Sequence, residues 1–293
     1  MPTPPPSALP AAVPAFQRPR RTGAGWSATW VGHSTVLLQL GGLNVLTDPM
    51  FSERASPLPF AGPRRMVPPG VALDALPPVD VVLLSHNHYD HCDRPSIRAI
   101  ARSHPDAAWI VPMGLAALVR RWGVRHVMEL DLWEVAEVEG AAGRARVGCT
   151  PARHFSARTP FDRGDTLWCG FTIHANDVSA YFAGDTAMHP EFAAIGARFG
   201  PFDLVLMPIG AYEPRWFMQG VHVNAEEGVD AVREVARDGP MPVMLPIHWG
   251  TFRLTDEDPL EPPARARAHW TRLGMPEEGF WNLRRGETRV SRR

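Results

Sequence analysis

The residues SHNHYDHCD (85–93) follow directly on the apolar run VDVVLL (79–84). A buried strand that ends in three histidines and an aspartate within six positions constrains this chain more than any other feature of it. Polar side chains at the ends of rigid strands are where sites are built. In extended backbone alternate side chains share a face, so His86 and His88 point the same way and both reach one cation. Asp90 and His91 then face elsewhere. A second cation beside the first accounts for that division, with a carboxylate from another strand bridging both.

The second half of the chain repeats the pattern. His154 follows the strand ARVGC, Asp185 closes YFAGDT, a Gly-containing loop follows LVLMPI, and His248 ends VMLPIH. A lone histidine is ordinarily a surface group, and His126, His174, His189 and His269 are read that way. HxHxDH set tight against a buried strand, with three matching partners downstream, reads as a metal site. Nitrogen ligands with carboxylates suit zinc, although iron or manganese also fits such a set. Cys92, next to His91, is read as a small packing residue.

Composition narrows the surroundings. With 45% hydrophobic and 21% charged residues in 293, the chain has the make-up of a globular protein with a large core. Thirty basic and thirty-one acidic side chains give a formal charge of −1, which argues against a nucleic-acid partner or an electrostatically held membrane surface. No stretch approaches the roughly 20 apolar residues that span a bilayer. Three cysteines support no disulfide framework and suit a reducing compartment, so a soluble cytoplasmic protein is expected. Residues 1–25 are Pro-rich and read as a disordered, extended lead. Residues 26–293 read as one domain, since no long linker interrupts them.

Within that domain, STVLLQL and LNVLTD flank Gly41-Gly42, the pattern of a hairpin. Asp93 with Pro95 predicts a helix start, and Asn224 with Glu227 a capping box. Strands mixed with helices through both halves predict an α/β protein of two packed sheets with helices outside.

Taken together, WVGHSTVLLQLGGLNVLTDPMFSERASP, GPRR, LLSHNHYDHCD, PARHF, GDTAMHPEF, PIGAYEPRWFMQGVHVNAEEGV and IHWGTF resemble the metallo-β-lactamase superfamily, in the branch of N-acylphosphatidylethanolamine-hydrolysing phospholipase D. The likeness runs over roughly residues 26 to 255. It implies an αββα sandwich of two mixed β-sheets flanked by helices. It also implies two divalent ions, zinc by preference: His86, His88 and His154 on one, Asp90, His91 and His248 on the other, Asp185 bridging. Two such ions activate a water near neutral pH. The implied reaction is phosphodiester hydrolysis of an N-acylated phosphatidylethanolamine to phosphatidic acid and an N-acylethanolamine, with Asp185, Asp90 and His222 in the chemistry. Phe60, Arg64, Tyr212, Trp216 and His222 are the expected substrate contacts, and His33 and Asp48 the expected supports of ligands.

A phospholipid partner, peripheral contact with the inner face of a membrane, and a homodimer follow from the same resemblance. The chain departs from the animal members of the branch after RASP, where it reads Leu58-Pro59-Phe60 instead of a polar, tyrosine-containing loop. The runner-up is a lactonase, or a phosphodiesterase for a small soluble substrate, because the superfamily reuses one site for several reactions. A di-iron redox protein is the reading from a different class.

Overall fold

The run TVLLQL is nearly continuous in apolar residues, which a strand sustains only when both its faces are covered. In the computed structural model, which describes residues 9–237 and 239–291, this strand is β2 (Thr35–Leu40), buried at every position. Val36, Leu38 and Leu40 enter one apolar cluster and Leu37 enters another. Its sheet also contains β1 (Ser27–Gly32), β3 (Leu43–Thr47), β4 (Val81–Leu83), β5 (Ala108–Pro112), β6 (His126–Leu130) and β13 (Thr288–Val290). Their order is β13-β1-β2-β3-β4-β5-β6, antiparallel as far as β3 and parallel beyond it.

The second sheet is formed by β7 (Val135–Gly140), β8 (Gly143–Thr150), β9 (Gly170–Ala175), β10 (Val178–Phe182), β11 (Leu204–Pro208) and β12 (Val243–Ile247). Its order is β12-β11-β10-β9-β8-β7, antiparallel from β7 to β10 and parallel from β10 to β12. Val81 and Leu83 of β4 face this sheet and join one core with Phe171, Ile173 and Phe182. Val82, Leu84, Trp109 and Val111 turn outward against Ile97 and Ile100 of α1 (Arg94–Ser103) and Val119 of α2 (Ala116–Arg121). On the far side α3 (Glu191–Phe199), α5 (Ala225–Ala236) and α6 (Glu261–Arg272) contribute Phe192, Ile195, Val229, Val232 and Trp270. Each large apolar side chain withdrawn from water contributes about 1.5–3 kcal/mol. Two mixed sheets flanked by helices are the expected αββα arrangement.

Local chemistry sets the ends of these elements. Gly41 and Gly42 both adopt positive φ (56° and 81°), the type I′ pattern that matches the twist of a hairpin. Asp93 caps α1 by accepting from the Ser96 N–H at 3.2 Å. The Asn224–Glu227 capping box is present, at 2.8 and 3.0 Å. Helix α6 opens on Glu261-Pro262-Pro263, where the missing N–H groups of proline would have had no helical partner anyway.

The expected disordered lead needs correcting from Leu9 onward; residues 1–8 lie outside the described residues. Leu9 is buried, and the Ala12 N–H donates to the Arg285 carbonyl at 2.9 Å. The Gln17 N–H donates to Gln39 Oε1, and Gln39 Nε2 donates back to the Gln17 carbonyl, both at 2.8 Å. Arg20 forks onto buried Asp80 at 2.7–3.1 Å. An extended Pro-rich segment makes no internal hydrogen bonds, so its backbone groups are free to dock, and a buried carboxylate such as Asp80 requires a cationic partner.

Candidate metal centre

The loop after β4 is tied to both sheets. Ser85 accepts from the Cys169 N–H at 3.0 Å, and the His88 carbonyl accepts from the His91 and Cys92 N–H groups before Asp93 starts α1. His86, His88, Asp90 and His91 all sit in this short segment. The second sheet supplies the rest from its own strand ends: His154 after β8, Asp185 after β10 and His248 after β12. Asp185 reaches the loop because Gly184 turns with φ 63°; a Cβ there would stand 2.6 Å from the Cys169 carbonyl oxygen. His33, Asp48 and His248 also hold positive φ (54°, 30° and 61°), backbone strain of the kind that clusters at functional sites.

His86 Nε2 lies 2.8 Å from His88 Nδ1, and His154 Nε2 lies 3.2 Å from the same atom. Partner chemistry fixes which nitrogens carry protons. The Ser85 hydroxyl donates to Asp48 Oδ2 at 2.6 Å, so His86 Nδ1–H donates to Ser85 Oγ at 2.9 Å and leaves Nε2 a bare lone pair. His154 Nδ1–H donates to the Val221 carbonyl at 2.9 Å, with the same result. Two lone pairs therefore converge on His88 Nδ1, and a cation held among the three nitrogens would satisfy all of them. Imidazole bonds of about 2.0–2.1 Å to a tetrahedral ion place ligand atoms about 3.3 Å apart, close to the spacing found.

The second set is organised alike. Asp90 Oδ2 lies 3.3 Å from His91 Nε2 and 3.4 Å from His248 Nε2. Asp185 Oδ2 lies 3.1 Å from His91 Nε2 and 3.0 Å from His248 Nε2, and 4.0 and 3.9 Å from the Nε2 atoms of His86 and His154. One carboxylate oxygen thus faces both groups. Despite the short separations, His91 Nε2 and His248 Nε2 have no aligned hydrogen-bond partner, nor does buried Asp185 Oδ1. Orphaned buried atoms on the Asp185 carboxylate and on several imidazoles fit a pair of divalent metal ions.

Support for these groups comes from the residues around them. Asp48, wholly buried, accepts from the Ser85 N–H at 2.7 Å, from its hydroxyl, and from His91 Nδ1–H at 2.6 Å. His33 Nε2 meets Asp90 Oδ2 at 2.9 Å. Electrostatics reflects the crowding. Burial opposes charge at His91 and His248, yet Asp185 and Asp90 outweigh it, raising His91 and carrying His248 to about 9. Burial lowers His86, and lowers His154 to about 4. Burial would raise the Asp90 and Asp185 carboxyls, but facing histidines hold both well below the ordinary range. Cys92 is fully buried, and burial pushes its thiol up to about 12, as befits packing.

A cavity of about 310 Å³ opens over the centre, with His88, Asp90, His154, Asp185, His222 and His248 in its wall. His222 is buried beside His154 (ring centroids 4.9 Å apart) and His248 (5.3 Å), with Nδ1 unpartnered. The other expected substrate contacts fare differently. Tyr212 is fully buried and faces away, its ring 5.1 Å from the Arg265 guanidinium, because the chain reverses at Ala211 (φ 64°) and it is Ala211 that meets the cavity. Phe60 is 77% exposed and outside this cavity, and Arg64 is spent on Glu53 at 2.7 Å. Trp216, on the one-turn helix α4 (Arg215–Met218), points to solvent, while its neighbours Phe217 and Met218 line the cavity instead.

Sequence reasoning passed over Ser85, Phe155 and Arg163. Phe155 stands within the quoted PARHF, whereas Arg163 carries no local signal. His189 and His269, read as surface groups, are buried and meet Glu191 and Asp230 at 3.0 and 2.9 Å. A roomier cavity of about 440 Å³, walled by Leu9, Trp30 and Trp249, contains none of the seven candidate ligands.

Residues 43–249 match a family model described as a beta-lactamase superfamily domain, a span that includes all seven groups. An uncharacterised protein of Mycobacterium tuberculosis is 44% identical over 244 residues, 83% of this chain and 63% of its own length. The match thus spans less than two thirds of that relative. An N-acyl-phosphatidylethanolamine-hydrolysing phospholipase D of Caenorhabditis elegans is 40% identical over 247 residues, 82% of this chain and 68% of its own. A solved structure described as a possible metal-dependent hydrolase from Veillonella parvula superposes with a TM-score of 0.72 at 20% identity, covering 92% of this chain and 100% of that one; at such identity the likeness carries the fold alone. The seven converging groups, the sandwich that positions them and the matched span together place this chain in the beta-lactamase superfamily, in the branch that includes the N-acylphosphatidylethanolamine-hydrolysing phospholipases D.

Proposed function

We propose that the chain is a two-zinc hydrolase that cleaves the phosphodiester of an N-acylated phosphatidylethanolamine, releasing phosphatidic acid and an N-acylethanolamine. The observation that carries this reading is the convergence of seven ligand atoms, three on each side of Asp185 Oδ2, in a chain 40% identical to a phospholipase D of that specificity. When bound, the ions would supply Lewis acidity and a water activated near neutral pH.

The chain's own residues do the rest. Asp48 and Ser85 bind the Nδ1 atoms of His91 and His86, which turns the Nε2 atom of each toward the centre. Asp185 keeps a negative charge between the two groups and orients whatever lies between them. His222, buried in the wall of the cavity, is assigned to the departing oxygen. Phe217, Met218 and Leu254 exclude water and receive apolar substrate. No helix among the described residues is long and apolar enough to cross a membrane; we assign peripheral lipid contact to exposed Trp216 and Phe217 at the cavity's edge.

The modest volume of the cavity favours a second reading, a phosphodiesterase or lactonase acting on a small soluble molecule, since 310 Å³ lies at the low end for ligand sites. Zinc-loaded protein offered micellar N-acylphosphatidylethanolamine, a soluble phosphodiester and a lactone, with products identified by mass spectrometry, separates the two. Turnover of the soluble compounds alone rejects the lipid reading.

A further inference from the structure

Arg163 lies in the loop between His154 and β9 and lines the cavity over the centre. Its guanidinium sits 3.9 Å from the centroid of the Phe155 ring, which in turn packs 4.6 Å from the ring of His88 and 4.9 Å from that of His154. Neighbouring arginines are committed elsewhere. Arg158 donates to the Asn87 and Cys92 carbonyls at 2.6 and 2.9 Å, Arg215 is bound to Glu227 and donates to the His222 carbonyl at 2.8 Å, and Arg65 donates to the Ser52 carbonyl at 3.1 Å. Arg163 has no ion pair or hydrogen bond among the described residues. It is an exposed cation laid on an aromatic face, and Oδ1 of its neighbour Asp162 is taken up by the Arg158 and Thr159 N–H groups at 2.9 and 2.7 Å.

We propose that Arg163 binds the anionic phosphoryl oxygens of the substrate beside the metal centre and thereby selects anionic substrates over neutral ones. The assignment rests on the phosphodiester reading above. A guanidinium offers two parallel donors matched to phosphoryl oxygens. Stacking on Phe155 restricts the long side chain beforehand, so less conformational freedom is lost on contact. Because Arg163 packs on Phe155 and bonds to none of the seven ligands among the described residues, its removal should leave the ligand set intact.

The test uses zinc-loaded, full-length protein and the Arg163→Ala and Arg163→Lys variants, assayed on bis(4-nitrophenyl) phosphate and on a neutral lactone, with orthophosphate affinity measured by titration calorimetry. Arg163→Ala should raise KM for the phosphodiester about 10- to 100-fold and weaken orthophosphate binding by a like factor. Turnover at saturation, zinc content and lactone hydrolysis should hold, and Arg163→Lys should recover part of the loss. Unchanged KM and unchanged orthophosphate affinity overturn the assignment, as does an equal loss on the lactone. Should wild-type protein turn over no phosphodiester at all, the functional reading fails, and orthophosphate affinity still decides for or against Arg163.

Discussion

Asp48→Asn isolates the support beneath the metal centre without disturbing its shape. Asp48 holds φ 30°, a conformation that asparagine tolerates as well as aspartate, so no new backbone strain enters. Two oxygens now accept three hydrogen bonds, at 2.7, 2.6 and 2.6 Å; an amide leaves one oxygen and one NH₂. If the oxygen keeps the Ser85 N–H, the NH₂ faces His91 Nδ1, which must then accept. Its proton moves to Nε2, the atom that faces Asp90 and Asp185, and a ligand is lost. If the amide flips, NH₂ confronts the Ser85 N–H in a fully buried site, at a cost of about 1–3 kcal/mol.

The first outcome should weaken binding of the ion nearer His91 about 10- to 100-fold, the usual effect of losing an outer partner. The second should lower the melting temperature of the metal-free protein by about 2–4 °C per kcal/mol. Zinc stoichiometry and affinity from competition with a chromophoric chelator, alongside calorimetric melting with and without zinc, read both. A variant that keeps two tightly held ions and an unaltered melting temperature would refute the reasoning that Asp48 sets the tautomer of His91.

Asp185→Asn removes the negative charge between the two groups and should cut turnover by more than about a hundredfold while lowering bound zinc below two; near-normal turnover at full metal content would show that Asp185 does not bridge. Tyr212→Phe should leave turnover unaltered and lower stability by about 0.5–1.5 kcal/mol, checked by kinetics and denaturant melts, because Tyr212 faces away from the cavity and its buried hydroxyl accepts from Arg265 Nη1 at 3.4 Å. The metal-free protein should be most stable near pH 6.5. His248, carried up to about 9, contributes stability that is complete below 6.5 and fades as pH rises toward that value, whereas burial lowers His154 to about 4, so its contribution fades as pH falls from 6.5. Scanning fluorimetry in chelator across this range would contradict the assignment if melting temperature stayed flat between pH 6.5 and 9.

What could be read from sequence was whatever a short stretch of chain decides for itself. The Gly41-Gly42 turn and the Asn224–Glu227 box are local rules of backbone and hydrogen bonding, and both appear as expected; the HxHxDH spacing is equally local, and its residues lie in the short segment between β4 and α1. Helix α6 escaped notice because Pro262 and Pro263 look like breakers unless the first turn is recognised. The docking of residues 9–25 depends on partners such as Asp80 and Arg285, far away in the chain. The directions of Tyr212, Phe60 and Arg64 likewise hang on turns and an ion pair that no local pattern announces. Arg163 illustrates the same limit, since only the folded loop lays it on Phe155.

Each group of ligands draws on both sheets: His154 and His248 come from the second, and their companions from the loop on the first. During synthesis the histidine-rich loop leaves the ribosome long before its partners do: the group of His86, His88 and His154 would wait on β8 and on Asp185 after β10, and the group of Asp90, His91 and His248 on β12. Metal capture would thus follow the closing of the sandwich instead of nucleating it, the reverse of the order in small zinc-dependent modules whose folding waits on the ion. Newly made chains would pass through a metal-free interval, and how much of the protein becomes complete would then depend on the supply of the metal.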